Sequence, residues 1–308
     1  MLFQTYFFAA ALIATVDASP HESPRDKTAF STVKRVIYDR LWRRQDCPSV
    51  WFDIGKQLAS EYVTNGQCNS DARGAIRLAF HDCFSGGCDG SMILANDCSR
   101  KENAGLQDTC QKIGDLAKEK DVGVADLIQF AGAAGIKACP GGVSMPIYIG
   151  RKDSTTPAPE GEIPSHLADA DTLINQFAAK GFTTTDLVAL VGAHSTSQQK
   201  TVDTARAGAA QDSTDGIWDV KFYSETLDGS APFSFPSDKN IAENSQCSGD
   251  WKRFSRSSAG WNRAFFSAME KMSLLGNDKS ELMDCSAALD PSDRRRTIQS
   301  ASRNARFV

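Results

Sequence analysis

Histidine is scarce in this chain, with four in 308 residues. The paired Cys-x-x-Cys spacing of zinc modules is missing, which removes a structural zinc fold from consideration. No Asn-x-Ser/Thr sequon occurs, so ordinary N-glycosylation is not expected. No repeat or low-complexity linker interrupts the chain, and β-signals are weak and short. Beyond residue 16 nothing is apolar and long enough to span a bilayer. A basic face is missing too: the formal net charge is −4, which argues against a nucleic-acid partner. The chain is long enough for one large domain or for two smaller ones sharing a core.

Helical periodicity dominates what is there. Apolar residues recur at helical spacing over 71–83, 124–137, 167–179, 184–194 and 259–275, with Thr184 or Thr185 before Asp186 as the expected N-cap of the fourth. Gly-, Pro- and Asp-rich loops at 85–91, 139–164 and 206–219 separate them. The expected class is mainly α with long functional loops. Residues 2–16 are apolar and run into Asp17-Ala18, so 1–18 reads as a signal peptide, although no basic residue precedes the stretch. Residues 19–44 are charged and contain Lys34-Arg35 and Arg43-Arg44, the second pair just before Gln45-Asp46-Cys47. This segment reads as a pro-region, with a retained solvated helix as the alternative. All nine cysteines follow it. Behind a leader they suggest disulfides in a secreted protein, with an odd cysteine free or paired between chains.

Two of the histidines sit in apolar runs. One run is Ala75-Ile76-Arg77-Leu78-Ala79-Phe80-His81-Asp82, the other Leu187-Val188-Ala189-Leu190-Val191-Gly192-Ala193-His194-Ser195. An imidazole in such a segment is costly unless it is hydrogen-bonded or ligating. Arg77 stands one helical turn before His81, so a helix points both the same way. A buried guanidinium there needs a negative partner or a reacting oxygen. His194 has no such companion and reads as a ligand. An ordinary buried polar pair and a structural histidine are the bland alternatives.

With these residues in view, the chain resembles the secreted fungal (class II) members of the plant, fungal and bacterial haem peroxidase superfamily, over roughly Cys47 to Cys285. The resemblance implies two helical halves, about 47–164 and 165–285, sandwiching haem b within a domain of about 45–290, followed by a short tail at 291–308. Arg77 and His81 match the distal pair, with Phe80 beside them. His81 would move the peroxide proton as base and then acid. Arg77 would stabilise the charge that develops as the O–O bond breaks. Asn103, in Asn103-Ala104-Gly105-Leu106, matches the residue that accepts the His81 Nδ1 proton. The family has a Glu six residues before it, where this chain has Asp97, with Glu102 adjacent to the Asn. His194 matches the iron ligand and Asp238, in Phe235-Pro236-Ser237-Asp238, the aspartate that accepts its other proton. Asp82, Gly87, Asp89 and Ser91 match a first calcium site; Ser195, Asp212, Thr214, Ile217 and Asp219 match a second, with Gly87 and Ile217 giving backbone carbonyls. Turns rich in Asp, Ser and Thr are the bland alternative. By the same resemblance Cys47 pairs with Cys285, Cys68 with Cys139 and Cys83 with Cys88. Cys98 with Cys110 is a weaker assignment that leaves Cys247 odd.

The chain departs from the substrate-specialised members. Manganese-oxidising relatives have acidic residues where this chain has Asn69, Arg73 and Lys200, and lignin-oxidising ones a surface tryptophan where it has Ala189. Gln211 replaces a usual Phe near the proximal histidine, and Pro164 matches a proline at the channel rim. What the resemblance implies is a secreted, monomeric, calcium-stabilised peroxidase. It would take hydrogen peroxide and small phenols or dyes at the haem edge, with no nucleic-acid or membrane partner. A lignin- or manganese-type enzyme with an atypical surface site, using an exposed tryptophan, and a non-catalytic haem-binding protein are the alternatives.

Overall fold

Short-range signals start the fold. In the computed structural model, which describes residues 46–290, α1 (Ser49–Glu61) buries Trp51, Ile54 and Leu58 along one stripe. A two-residue antiparallel ribbon follows, β1 (Val63–Thr64) with β2 (Gln67–Cys68). Asn65 and Gly66 turn it at φ 53° and 76°, as a tight Asn-Gly hairpin requires. The expected leader, pro-region and tail (1–18, 19–44 and 291–308) lie outside the described residues.

His81 belongs to α2 (Ser70–Gly86). Asn69 caps it, its side-chain oxygen accepting from the Asp71 and Ala72 amides, and Gly87 ends it at φ 94°. Next come the short α3 (Ser91–Leu94), two 3-10 turns at Asp97–Ser99 and Lys101–Asn103, α4 (Gln107–Lys120) and α5 (Val124–Ala138). The closest helix pairing is α2 against α5, through small residues. A Cβ on Gly132 would lie 2.5 Å from that of Ala79, and one on Gly135 2.6 Å from the Ala72 carbonyl oxygen. Backbone-close packing of this kind fixes the rotation of α2 and hence the direction of its polar side chains.

The rest of the described chain builds the side around His194. β3 (Tyr148–Ile149) lies in the long segment after α5 and pairs with β4 (Met283–Asp284) near the end of the described chain. α6 (Ala170–Ala179) starts later than its periodicity predicts, because the Asp169 side chain caps it by accepting from Thr172 N. The cap of α7 (Thr184–Val191) is Thr183 rather than Thr184 or Thr185, in a reciprocal box with Asp186. The expected helix to 194 also stops early, and Gly192–Thr196 is a 3-10 turn. The Tyr223 hydroxyl donates to the Val188 carbonyl, and the Gly192 amide turns to Ala189 and Leu190 instead. α8 (Lys221–Asp228), α9 (Pro236–Glu243), α10 (Ser248–Phe254) and α11 (Ser258–Ser273) complete this side. Trp218, Phe222, Tyr223, Trp251, Phe254, Trp261 and Phe265 form a fully buried aromatic cluster behind α7. Disulfides join Cys47 to Cys285, Cys68 to Cys139, Cys83 to Cys88 and Cys98 to Cys110. Cys247 is buried and free. The mainly α architecture expected from periodicity is what the described residues adopt.

Candidate functional site

Arg77 and His81 meet on one face of α2. Arg77 Nε donates to His81 Nε2 at 3.2 Å and Nη1 to the Ala104 carbonyl at 3.0 Å. His81 Nδ1 donates to Asn103 Oδ1 at 2.6 Å. An amide oxygen on one side and a guanidinium donor on the other select the tautomer with Nδ1 protonated and Nε2 bearing the lone pair. Burial, then the adjacent Arg77 charge, pushes the imidazole pKa down to about 3, against the opposing bond to Asn103. His81 is therefore neutral near pH 7. Arg77 is solvent-accessible but crowded enough that desolvation lowers its pKa to about 10, which leaves it cationic. Phe80 is half-buried, stacked on Phe84 and edge-on to His81.

Asn103 is held from behind. Its Nδ2 donates to the backbone carbonyl of Asp97 at 2.8 Å. The Asp97 carboxylate faces elsewhere, pairing with Arg100 at 2.8 Å and accepting from the Ala158 amide at 2.9 Å. Glu102 accepts from Gly161 N and takes no part in this chain of bonds. A main-chain carbonyl thus forms the outer link, so the Asp that stands in for the family's Glu does not break it.

His194 Nδ1 lies 3.2 Å from Asp238 Oδ2. Asp238 sits in the first turn of α9, just after Pro236, and is fully buried. A third of the His194 side chain remains accessible, 33%, and its Nε2 has no hydrogen-bond partner among the described residues. Phe222 and Phe235 stand edge-on to the ring at 5.6 Å each. Gln211 is fully buried and donates Nε2 to the same Asp238 oxygen at 3.0 Å. An imidazole oriented by a carboxylate, with its second nitrogen free and half-buried apolar residues such as Val191, Ala193 and Phe235 beside it, could hold a haem iron.

Two oxygen clusters adjoin these histidines. Ser91 Oγ and Asp89 Oδ1 point to one spot beside Gly86: a Cβ there would lie 2.8 and 2.9 Å from them. Ser91 Oγ is buried without a partner. Asp82 is fully buried, and burial, with the charge of Asp89, raises its carboxyl to about 7 against hydrogen bonds from Gly90 and Met92. The Gly87 carbonyl, on the same turn, accepts from Asn277 Nδ2 at 3.1 Å. In the second cluster Ser195 Oγ donates to Asp212 Oδ2 at 2.9 Å and approaches the Ile217 carbonyl at 3.4 Å. Thr214 Oγ1 donates to Asp219 Oδ2 at 2.9 Å and lies 3.4 Å from Asp212 Oδ1. Burial raises Asp212 to about 6, with Asp219 and Glu225 adding to the rise. Buried carboxylates, hydroxyls and a carbonyl gathered in this way suit a hard divalent ion. Among the described residues no group of three or more His, Cys, Asp or Glu side chains forms a metal cluster; these sites mix carboxylate with hydroxyl and carbonyl oxygen.

The surface positions of specialised relatives are used otherwise here. Asn69 is a helix cap, Arg73 donates to the Cys68 carbonyl and lies 3.6 Å from Asp215, and Lys200 is exposed. Ala189 and the four described tryptophans (Trp51, Trp218, Trp251, Trp261) are buried. A groove of about 480 Å³ between α1 and α4 is lined by none of the site residues. Sequence reasoning missed the carbonyls of Ala104 and Asp97, since a backbone acceptor has no signature in residue type. It also missed Tyr223 and Trp261, which donate to the carbonyls of Val188 and Ala189 and so clamp α7 just before His194. Their only sequence signal was aromatic content.

A family profile described as Peroxidase matches residues 55–257. The chain is 28% identical to Manganese peroxidase 3 of Phlebia radiata, over 85% of this chain and 84% of that protein. It is 30% identical to a Peroxidase of Arthromyces ramosus, over 77% and 74%. It is 31% identical to a Low-redox potential peroxidase of Taiwanofungus camphoratus, over 77% and 76%.

Proposed function

Because the chain belongs to the peroxidase family and is an oxidoreductase that uses hydrogen peroxide, we propose that it works with haem b held by His194, with Arg77, His81 and Asn103 as the distal machinery. Haem b supplies the iron that takes up peroxide and carries the oxidising equivalents. His81 Nε2 carries a lone pair, and so accepts the first peroxide proton and returns it to the departing oxygen. Arg77 offers fixed positive charge where negative charge builds on that oxygen. Asn103, anchored on the Asp97 carbonyl, keeps the His81 proton on Nδ1. Asp238 orients His194, Phe235 packs edge-on against its ring, and Phe80 shields the space beside His81 from water.

Asp82, Asp89 and Ser91, with Gly87 on the same turn, hold one calcium, and Ser195, Asp212, Thr214, Ile217 and Asp219 the other. Each ion fixes the chain next to a haem histidine. The domain of about 45–290 places its distal half, 47–164, and its proximal half, 165–285, on the two faces of the haem. The electron donors are small phenols and dyes, oxidised by single electrons at the haem edge. Buried tryptophans and the Asn69, Arg73 and Lys200 set favour this donor class over lignin- or manganese-type substrates. The protein is proposed to be secreted and monomeric, without nucleic-acid or membrane partners. Its disulfides favour an oxidising compartment, and no described helix is long and apolar enough to cross a membrane.

The Arg77–His81–Asn103 bond chain carries this reading. Its test is steady-state oxidation of a small phenol by peroxide, with haem-loaded wild type and His81→Leu compared. Loss of turnover in the variant, with haem still bound, is expected. Equal turnover would overturn the distal assignment.

A further inference from the structure

Gln211 is fully buried, yet only half of its amide is used. Nε2 donates to Asp238 Oδ2 at 3.0 Å, while Oε1 is buried without a partner. An ionised carboxylate only accepts, so the NH2 group must face it; a flipped amide would oppose two oxygens. The same Oδ2 lies 3.2 Å from His194 Nδ1, and Asp238 Oδ1 is buried and unpartnered. Two donors therefore converge on one oxygen while another acceptor beside it stays empty. Hydrogen-bond satisfaction alone does not account for a buried amide placed this way.

We propose that Gln211 sets the donor strength of His194 by sharing its aspartate, and so holds a bound haem iron at a higher ferric/ferrous midpoint potential than the His194–Asp238 pair alone would give. The inference rests on His194 being the haem ligand. The amide N–H draws on the lone pairs and charge of Oδ2. The His194 Nδ1–H is then pulled less strongly, the imidazole has less anionic character, and it donates less to the iron. A weaker donor stabilises the ferric state less, which raises the potential. Gln211 is a positioning residue acting through Asp238; it touches no reacting atom.

The test is a spectroelectrochemical titration of the haem-loaded chain as wild type, Gln211→Leu, Gln211→Met, Asp238→Asn and the Gln211→Leu/Asp238→Asn double variant. Both single Gln211 variants remove the N–H; Met keeps the side-chain length should Leu disturb folding. Each is expected to shift the ferric/ferrous equilibrium about tenfold towards ferric, ~59 mV downward for one electron, and to raise the iron–histidine stretching frequency of the ferrous form. Asp238→Asn should shift the potential upward, and in that background Gln211→Leu should have little effect. An unchanged or raised potential in both Gln211 variants, with Asp238→Asn still shifting it, would overturn the inference and leave the ligand in place. No response to any variant, Asp238→Asn included, would overturn the reading of His194 itself.

Discussion

His81 can act as a base only while it is neutral, and its pKa of about 3 sets where that condition ends. Protonation removes the Nε2 lone pair, so activity is lost on the acid side. The rate of the peroxide reaction should stay level from about pH 8 down to about pH 4 and fall only as pH approaches 3. Stopped-flow absorbance across this range checks it; a fall centred near pH 6.5 would mean that His81 is not held neutral. His81→Leu should slow the same reaction by roughly 10²–10⁴-fold, with Arg77→Leu also slowing it. At this scale the sequence was partly legible. Arg77 and His81 announce themselves by helical spacing in an apolar run. Asn103 lies in a 3-10 turn and Asp238 in a short helix without clear periodicity, and only the family resemblance singled them out. The direction of Gln211's effect was not legible, because it depends on which end of an amide faces a carboxylate 27 residues away.

At the scale of elements, the ends of α2 and α7 matter more than their middles. Gly86→Ala would drive a Cβ into the Asp89–Ser91 oxygens. The variant should bind one calcium fewer by metal analysis; full calcium content would remove that site. Gly192→Ala meets the Tyr223 hydroxyl at 2.3 Å and the Trp261 ring nitrogen at 2.4 Å. It should destabilise the fold by about 1–3 kcal/mol or more, read by denaturant unfolding. Calcium should also couple to pH. Asp82 and Asp212 have folded pKa values of about 7 and 6, above the unfolded carboxylate value. In calcium-free protein they bind more protons folded than unfolded, so their contribution is present below about pH 4 and is lost as pH rises to 7. Calcium needs them deprotonated. The gain in Tm on adding calcium should therefore grow from pH 4 to pH 7; a flat gain would contradict the assignment. α2, α5, α6, α7 and α11 were legible through their apolar periodicity, whereas α1 and α4, 13 and 14 residues long, were not singled out by it. α8, α9 and α10 are two turns or so and lack the unbroken Leu187–Val191 apolar run that marks α7, so no pattern stands out. The end of α7 was misjudged because an aromatic hydroxyl from α8, not a local breaker, takes up its carbonyl.

For the whole molecule, the question is which donors can reach the oxidising centre. The described surface has no exposed tryptophan, and its manganese-equivalent positions hold an amide and two cations, Asn69, Arg73 and Lys200. Steady-state assays should accordingly show phenol oxidation with little formation of chelated Mn(III) and slow turnover of bulky high-potential aromatics. Rapid Mn(II) oxidation would point to a site elsewhere on the surface.

The most direct measurement is the visible spectrum of the haem- and calcium-loaded protein before and after one equivalent of hydrogen peroxide, followed by a small phenol. Arg77, His81 and Asn103 acting on peroxide, with His194 and Asp238 holding the haem, predict a fast spectral change that returns to the starting spectrum once the phenol is added. A haem spectrum that peroxide only bleaches would contradict it, as would a protein that takes up no haem.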